Sequence, residues 1–490
     1  MRDKRFMREL GPSLFTGVCL MRVSVLFILT LLCAACASTQ RRPAAVDFSG
    51  PTDSVLLMSD LHFDPLYDPS IVPALIQNAD GSQWASIFES SKIKTFSAYG
   101  TDANFPILKS SLEAMKKADP NPRMIIVGGD FLRHKFEQRF KALAPDAAAQ
   151  FKPFVDATLR FLAQMVQAYF PNTLILPTIG NNDDSCGDYV SQPGGASLSV
   201  FAKAWAPAAD RDNSSSDFVT GVEAYGHYTE LLPAVEGGQA LRLIVANGVY
   251  WSPRYSNTCG EASATPGDDE LAWLEKQLEA SKSKGEKVWL VNHIPAGIDV
   301  ATTVFKDPNY CASKKFTMML KTEPNGKYLN LIKRYRSIIS ASINGHTHYS
   351  EFRVYGENQE AVPAITIPSV APTHENNPAF QVLTVDPSTF AIQNISVYAV
   401  DIDQSVKNPS WNKLYDFDQF FQQSEVSAVS LSQVLQNART YNTDLKDQYS
   451  RFMNSGAKPS PFMTQNWDLY ICGMTHGSAE AVANCACPAN

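Results

Sequence analysis

Short apolar runs alternate with longer amphipathic segments along most of the chain. The runs are rich in valine, isoleucine and leucine, which is typical of strands that are covered on both faces. Strands alternating with helices predict an α/β fold in which helices cover the sheets. The seven runs lie at 55–59, 124–127, 173–176, 241–247, 287–292, 337–344 and 364–367.

Two segments between these runs have helical periodicity. In 153–169 apolar residues recur at helical spacing, and Pro153 is placed for a first turn. The segment 270–284 is also amphipathic and is followed by Gly285, a residue type that commonly ends helices. Apolar positions between 431 and 452 predict one further helix or two. We therefore expect the chain to close with a helical subdomain.

The N-terminus has the pattern of an export signal. Arg22 precedes an apolar stretch, 23–37, that is shorter than the roughly 20 residues of a membrane span. The small residues 35–37 fit cleavage before Ser38, whereas 33–36 resembles a lipobox in which Cys36 is lipidated. We expect an extracytoplasmic protein, either periplasmic, secreted or attached to a membrane only through a lipid on Cys36.

The predicted organisation has four parts. Met21 is an alternative first residue of the protein and of its signal peptide. The parts are the signal peptide (1–37), a polar linker (38–53), an α/β domain (54–403) and a helical C-terminal subdomain with a cysteine-rich tail (404–490).

Six cysteines follow the signal, an even number that fits disulfides in an exported chain. A bond from Cys472 to Cys485 or Cys487 would clamp the C-terminal tail. Two alternatives are buried free thiols and a metal knuckle formed by the tail cysteines with His476. The six are Cys186, Cys259, Cys311, Cys472, Cys485 and Cys487.

Composition excludes some classes of protein. Hydrophobic residues make up 44% of the chain, which indicates a globular core rather than disorder. The net charge of −7 is spread evenly and forms no basic stripe, so nucleic-acid binding is not expected.

Polar residues follow five of the predicted strands. In extended backbone, residues two apart point the same way, so Asp60 and His62 can face one site, as can His346 and His348. Glycines beside them allow close approach of the backbone. Four of the eight histidines lie at these ends. The strands lead into 60–62, 128–130, 180–183, 292–293 and 344–348.

These strand ends carry an ordered set of motifs that resembles the calcineurin-like metallophosphoesterases. The motifs are DLH (60–62), GD (129–130), GNND (180–183), NHIP (292–295) and GHTH (345–348). The runs SDLHFDPLYD, GDFLRH, HIPAG, GHTHYSEF and NPAFQVLTVDP resemble the acid sphingomyelinase-like branch, which includes secreted phosphodiesterases and endopolyphosphatases. The resemblance spans roughly 54–416 and implies a four-layer α/β/β/α sandwich of two mixed sheets flanked by helices.

The resemblance also implies a binuclear metal site. One metal takes Asp60, His62, Asp130 and His348, and the other takes Asp130, Asn181, His293 and His346, with Asp130 bridging. The nitrogen and oxygen ligands and the branch resemblance favour zinc, with iron and manganese as alternatives. Two such ions about 3.5–4 Å apart hold a bridging hydroxide for in-line attack on phosphorus.

Three further residues receive roles from the resemblance. His134 contacts the phosphate or its leaving group, and Asp183 orients its neighbours without binding metal. Asn182 stands where many relatives have histidine, and an amide cannot act as a general acid. We therefore expect a preference for anhydride or activated phosphates over simple alkyl diesters, unless His134 takes over as the acid. The GNND motif also resembles the endopolyphosphatase side of the branch.

The sequence thus predicts an exported metal-dependent hydrolase of phosphate esters or anhydrides, acting on a phosphorylated small molecule, polyphosphate or phospholipid. One alternative is a sphingomyelinase-like lipid phosphodiesterase, and another is a non-catalytic binding protein with the same fold. Loops 185–195 and 299–315 are expected to shape the pocket. The aromatic residues Tyr67, Tyr250, Trp251 and Tyr255 fit an ordinary core better than a ligand pocket.

Overall fold

The computed structural model describes residues 53–210, 217–257, 265–356, 360–374, 376–403, 408–440 and 443–487. These residues all lie in one unit, Phe48–Asn490. The predicted signal peptide, the linker as far as residue 52, and Cys259 lie outside the described residues.

Twelve strands are present in the described part of the chain. In chain order they are β1 (Asp53–Met58), β2 (Met124–Val127), β3 (Leu174–Pro177), β4 (Tyr228–Leu232), β5 (Leu241–Val245), β6 (Lys287–Val291), β7 (Ile339–Asn344), β8 (Glu351–Tyr355), β9 (Val362–Thr366), β10 (Ala379–Val385), β11 (Ile392–Val400) and β12 (Trp411–Asp416).

The strands form two mixed sheets of six. The first has the order β12-β11-β10-β1-β2-β3, with β1, β2 and β3 parallel and β10 antiparallel to β1. The second has the order β4-β5-β6-β7-β9-β8, with β5, β6, β7 and β9 parallel. Each sheet therefore contains a group of parallel strands whose carboxyl ends lie together at one end of the sheet.

Helices connect and cover the strands. The first ten are Val72–Gln77, Trp84–Ser90, Phe105–Ala118, Phe136–Leu143, Phe151–Tyr169, Ala196–Ala209, Phe218–Tyr225, Pro266–Lys284, Val300–Lys306 and Tyr310–Ser313. The later ones are Thr322–Tyr335, Phe417–Phe421, Ala428–Thr440, Thr443–Met453, Pro461–Gln465, Trp467–Thr475 and Ala479–Ala486. Short 3₁₀ turns span Pro145–Gln150 and Gly248–Trp251.

Alternating side chains of the second sheet reach two different cores. Leu243 and Val245 belong to the core shared with the first sheet, whereas Ile244 belongs to a second core. That second core also contains Leu274 and Ile332 from the helices Pro266–Lys284 and Thr322–Tyr335. Because neighbouring strand residues point to opposite faces, one sheet separates the two cores. The four-layer α/β/β/α sandwich predicted from sequence is confirmed.

All seven predicted strands are present, with small shifts at their ends. The predicted helices at 153–169 and 270–284 begin two and four residues earlier, at Phe151 and Pro266. Gly285 ends the second of them with a left-handed φ of 69°. The sequence did not identify β4, β8, β10, β11 and β12, which include three of the four edge strands.

The C-terminal part is helical, and the pattern between 431 and 452 corresponds to two helices, Ala428–Thr440 and Thr443–Met453. The first sheet continues to β12, beyond the boundary expected at residue 403. Within the described residues, no helix combines the length and apolar character that a membrane crossing requires.

Disulfides connect the tail to the rest of the molecule. Cys472 bonds to Cys485, one of the two predicted pairings, and Cys311 bonds to Cys487. Cys186 is also disulfide-bonded. The metal-knuckle alternative is wrong, because the three tail cysteines are oxidised and offer no thiolates. The free-thiol alternative is wrong for these five cysteines for the same reason.

Candidate metal centre

The predicted strand ends meet at one place in the fold. β1 and β2 are parallel neighbours in the first sheet, and β6 and β7 are parallel neighbours in the second. The backbone N–H of Asp60, after β1, donates to Gly129 O after β2 at 2.9 Å. The backbone N–H of His346, after β7, donates to Asp60 Oδ2 at 3.1 Å. Residues from both sheets therefore share one site.

Five of the proposed ligands have left-handed backbone. L-residues other than glycine rarely adopt positive φ, and such strain persists only where surrounding structure enforces it. The sequences of the motifs do not indicate this conformation. It turns the chain at the end of each strand. The φ values are 50° for Asp60, 36° for His62, 56° for Asp130, 75° for His346 and 66° for His348.

Glycines allow the close backbone approach that the sequence predicted. A Cβ atom placed on Gly180 would overlap the backbone nitrogen and Oδ1 of Asp130. A Cβ on Gly345 would overlap Ser59 Oγ and lie 2.9 Å from Asp60 Oδ2. These two positions therefore require glycine if the neighbouring carboxylates are to stay where they are.

Asp60, His62 and His348 form the first cluster of donor atoms, all of which lie within 4.8 Å of one another. His348 Nε2 is 3.1 Å from His62 Nε2 and 3.3 Å from Asp60 Oδ1. The side chains of all three are almost completely buried. This cluster corresponds to three of the four residues predicted for one metal.

Asp130, His293 and His346 form the second cluster, with the same closeness of donor atoms. Asn181 adds its Oδ1, which is 3.2 Å from His293 Nε2. These four residues are the set predicted for the other metal.

One carboxylate oxygen joins the two clusters. Asp130 Oδ2 is 3.5 Å from His62 Nε2 in the first cluster and 3.2 Å from His293 Nε2 in the second. Asp130 is therefore positioned as a bridging ligand would be.

The protonation pattern fits metal ions. His62 Nδ1 faces Leu132 O at 3.1 Å and His293 Nδ1 faces Gly128 O at 2.7 Å, which assigns the proton to Nδ1 in both rings. His62 Nε2 then faces Asp130 Oδ2 and His348 Nε2, and His293 Nε2 faces Asp130 Oδ2. Burial lowers the pKa of His62 and of His346 to about 3. Neutral imidazoles facing carboxylates within 4 Å form a donor set that suits a divalent cation.

His293 has the opposite shift. Burial lowers its pKa, but the attraction of Asp130 outweighs burial and raises the pKa to about 10. A positive charge beside Asp130 is thus favoured, and a metal ion at the Nε2 atom can supply it in place of the proton.

Asp183 contacts backbone rather than the centre of the site. Its carboxylate accepts hydrogen bonds from the backbone N–H groups of Gly180, Asp130, Phe131 and Leu132. Burial and then the nearby Asp130 raise its pKa to about 7. The carboxyl group holds together the two loops that carry Asp130 and Asn181.

Asn182 is hydrogen-bonded to the carboxylate of Asp130, which joins the two clusters. Its backbone N–H donates to Asp130 Oδ1 at 2.8 Å, and its Nδ2 donates to Asp130 Oδ2 at 3.1 Å. The side chain also lines the cleft above the site.

His134 lies against the first cluster and has an acidic partner that sequence reasoning missed. Its ring stacks on that of His62 at 4.0 Å, and its Nδ1 is 2.7 Å from Asp102 Oδ1. Burial lowers the pKa of His134, but the hydrogen bond with Asp102 outweighs burial and leaves the pKa above its ordinary value. Asp102 lies outside every motif, so the sequence carried no local signal for it.

Two other nearby residues were also missed. His374 stacks on His348 with ring centroids 4.2 Å apart. Asp188 Oδ1 accepts a hydrogen bond from Asn181 Nδ2 at 2.8 Å, which turns Asn181 Oδ1 toward His293. Asp188 lies in the loop 185–195 that was expected to shape the pocket, but its contact with a proposed ligand was not predicted.

A cleft of about 590 Å³ opens over both clusters. Loop 185–195 lines it with Asp188 and Tyr189, and loop 299–315 with Asp299 and Val300, as expected. The helix Trp467–Thr475 also lines it, which was not expected. Tyr250 and Trp251 are buried in the second core and line none of the cleft, in keeping with the core interpretation.

Curated proteins with similar sequences are phosphodiesterases. Sphingomyelin phosphodiesterase B of Dictyostelium discoideum is 26% identical over 88% of this chain, and the chain spans 64% of that protein's length. Acid sphingomyelinase-like phosphodiesterase 3b of Homo sapiens is 23% identical over 87% of this chain and 89% of its own length. A cyclic GMP-AMP phosphodiesterase of Homo sapiens is 22% identical, over 76% of each chain.

The chain matches no protein-family model. Among solved structures, a dimetal phosphatase of Danio rerio is similar with a TM-score of 0.38 and 12% identity, over 74% of this chain and 99% of that one. The curated relatives are acid sphingomyelinase-like phosphodiesterases, hydrolases of phosphoric ester bonds, and the chain is their homologue. Together with the motifs, this relationship is consistent with a calcineurin-like metallophosphoesterase.

Proposed function

We propose that this protein hydrolyses phosphate esters or anhydrides at a centre of two metal ions. One ion is held by Asp60, His62, Asp130 and His348. The other is held by Asp130, Asn181, His293 and His346. The observation that carries this proposal is the position of Asp130 Oδ2, which lies between a histidine of each cluster.

When bound, two metal ions of this kind activate a water molecule and stabilise charge on the phosphoryl oxygens. The residues of the chain prepare that chemistry. Asp188 holds the amide of Asn181 with its oxygen inward, and Asp183 ties the Asp130 loop to the Asn181 loop. The left-handed backbone at the strand ends then directs the carboxylates and imidazoles toward one point.

We assign the proton donor for the leaving group to His134. Its Nδ1 bonds to Asp102, so Nε2 is the atom left to face the cleft, which the residue lines. Asn182 stands where many relatives have histidine, but its amide holds Asp130 and cannot supply a proton. His134 is then the one imidazole that can protonate a leaving group. Leaving groups of phosphoanhydrides need this protonation less than alkoxides do.

Substrate choice follows from this arrangement. The curated relatives named for sphingomyelin and cyclic GMP-AMP cleave phosphodiesters. The Asn182 amide removes one of two possible acids, so we propose that activated or anhydride phosphates are favoured over simple alkyl diesters even with His134 as the remaining acid. A sphingomyelinase-like activity on lipid is the second candidate. We propose zinc as the metal, because imidazole and carboxylate ligands suit it.

We also propose that the protein is exported. The disulfides Cys311–Cys487 and Cys472–Cys485 fit an oxidising compartment. The mature chain is then expected to begin at Cys36, with a lipid, or at Ser38. Mass spectrometry of the native protein checks this expectation, and an intact N-terminus in the cytoplasm contradicts it.

The function is tested by metal content and hydrolysis measured on the same preparations. Wild-type protein should bind about two metal ions per chain and hydrolyse phosphodiester or anhydride substrates. Asp130→Asn should lower metal content and abolish hydrolysis, because an amide cannot replace the shared charge. Asp146→Asn, an exposed change in the turn Pro145–Gln150, is the matched control and should leave both unchanged.

Two results would overturn the proposal. Full metal content and hydrolysis in Asp130→Asn would exclude Asp130 as the shared ligand. Wild-type protein that binds two metals but hydrolyses none of these substrates would favour a non-catalytic binding protein.

A further inference from the structure

Arg254 is an exposed cation in the wall of the cleft. Its side chain is 67% exposed, yet it lines the same cleft as Asn181 and His346. Its guanidinium carbon lies 4.2 Å from the centre of the Tyr189 ring, and Nη1 donates to the Tyr189 hydroxyl at 3.2 Å. An exposed arginine is thus held in one place by an aromatic platform.

That platform connects Arg254 to the proposed metal centre. The Tyr189 ring is 6% exposed and meets His346 edge-on, with centroids 6.2 Å apart. The backbone N–H of Tyr189 donates to Asn181 O at 2.7 Å. The guanidinium is therefore one aromatic ring away from His346, on the side of the second cluster.

Arg254 keeps hydrogen-bonding capacity for a ligand. Guanidinium has five N–H donors, and among the described residues only Tyr189 and Asp188 receive contacts from it. The Asp188 contact is long, at 3.5 Å, and Asp188 Oδ1 is already bonded to Asn181. The carboxylate is thus a weak partner that an incoming anion can displace.

The other cations of the cleft are placed differently. Arg353 is buried and bonds to Glu351 at 2.7 Å. Arg133 pairs with Asp64 at 3.1 Å, and Lys135 follows His134 at the other cluster. Arg254 is thus the exposed cation described on the side of Asn181 and His346.

We propose that Arg254 recognises a second phosphate or similar anionic group of the substrate, next to the phosphorus that reacts. The proposal rests on the phosphoester hydrolase function proposed above and adds a specificity-determining residue to it. Guanidinium binds phosphate oxygens in pairs, which ammonium cannot do. The expected substrates carry at least two phosphates, either in nucleotides or in inorganic phosphate chains.

The test compares substrates with and without the second phosphate on metal-loaded full-length protein. The substrates are ADP, inorganic tripolyphosphate and bis(p-nitrophenyl) phosphate. Arg254→Gln should lower the ratio of kcat/KM for ADP to that for the aryl diester by about 10- to 100-fold, the loss expected for a charge-assisted hydrogen bond. Arg254→Lys should recover part of the ratio, and Tyr189→Phe should lower it by less than Arg254→Gln.

Arg336→Gln is the control, because that guanidinium bonds to Glu360 and does not line the cleft. It should leave the ratio unchanged. Equal losses for ADP and tripolyphosphate identify phosphate as the recognised group. Loss confined to ADP means that Arg254 contacts the nucleoside, which overturns the proposal, as does an unchanged ratio in Arg254→Gln.

Equilibrium binding separates this proposal from the function on which it rests. Calorimetry with inorganic pyrophosphate should show weaker binding to Arg254→Gln than to wild type. If wild-type protein hydrolyses none of the three substrates, the proposed function fails. In that case weaker pyrophosphate binding to Arg254→Gln still supports the role of Arg254, and equal binding to the two proteins overturns it.

Discussion

The candidate ligands and the residues that wall the cleft differ in how the chain positions them. The ligands follow buried strands, and several have left-handed backbone locked by hydrogen bonds between loops. The wall comes from loop 185–195, the segment after Asp299 and the helix Trp467–Thr475, with disulfides tying the tail. The centre therefore depends on left-handed backbone at the ends of buried strands, whereas the wall depends on loops and on a C-terminal helix tied by disulfides.

This difference predicts which changes remove chemistry and which change selectivity. Substitutions at the strand ends should act on metal binding and turnover together. Substitutions in the wall, apart from Asp188, which orients Asn181, should leave metal content intact and alter stability or the choice of substrate.

The largest effect is expected from Gly180→Ala. The added Cβ overlaps the backbone nitrogen and Oδ1 of Asp130, so the shared carboxylate must move. We expect metal content to fall and hydrolysis to drop at least about 100-fold, since small misplacements cost that much. Gly326→Ala is the control, because its Cβ meets no described atom within 4 Å. Wild-type metal content in Gly180→Ala would contradict the crowded geometry.

A large effect that depends on the leaving group is expected from Asp102→Asn. The amide oxygen can still accept a hydrogen bond from Nδ1, but it carries no charge to stabilise the protonated imidazole, so His134 becomes a poorer proton donor. Hydrolysis of a dialkyl diester should fall about 100-fold or more, within the range of general acid catalysis, and that of a p-nitrophenyl diester by less. The measurement is kcat/KM against leaving-group pKa. An equal loss of kcat/KM for both diesters would contradict a role of Asp102 in protonating the leaving group and would indicate a structural role only.

Removal of the Cys472–Cys485 disulfide tests the wall. The double change Cys472→Ala with Cys485→Ala should lower the free energy of unfolding by about 2–4 kcal/mol. Metal content should stay at the wild-type value, because both cysteines lie in the C-terminal helices. Denaturant unfolding and metal analysis check the two halves of this prediction, and loss of metal would show that the centre and the wall are not separable.

The smallest effect is expected from Asn182→His. An imidazole at this position can donate a proton, so turnover of alkyl diesters should rise several-fold while anhydride turnover changes little. Asn182 Nδ2 also donates to Asp130 Oδ2, so metal content is measured alongside. Equal changes for both substrate types at full metal content would show that position 182 has no role at the leaving group.

The sequence predicted seven strands, six of them central, and identified the strand-end motifs, because both signals are local. Apolar runs mark buried strands, and Gly-Asp or Gly-His pairs mark their ends. The partners Asp102, Asp188 and His374 were not predicted. Each acts through a contact across loops, as in the hydrogen bond from Asn181 Nδ2 to Asp188, and its own neighbours in sequence carry no motif.

The other three edge strands and the helical part of the cleft wall were not predicted, for a related reason. β12 has exposed and half-buried positions, so its apolar pattern is weak. The helix Trp467–Thr475 is apolar enough to be expected, but only the fold shows that it reaches the cleft. No sequence motif indicates the left-handed backbone at Asp60 and His346. Aspartate and histidine keep this conformation here because the surrounding structure enforces it.

The hydrogen bond from His346 to Asp60 limits how early during synthesis the site can form. It joins residues 286 apart in sequence, so neither cluster is complete until most of the chain has been synthesised. At about 5–20 residues per second, the ribosome makes His346 roughly 15–60 s after Asp60. A nascent chain that ends before β7 contains Asp60, His62 and Asp130 without the histidines that complete either cluster. A metal centre that needs both clusters would therefore be completed only after β7 and the residues that follow it have been made.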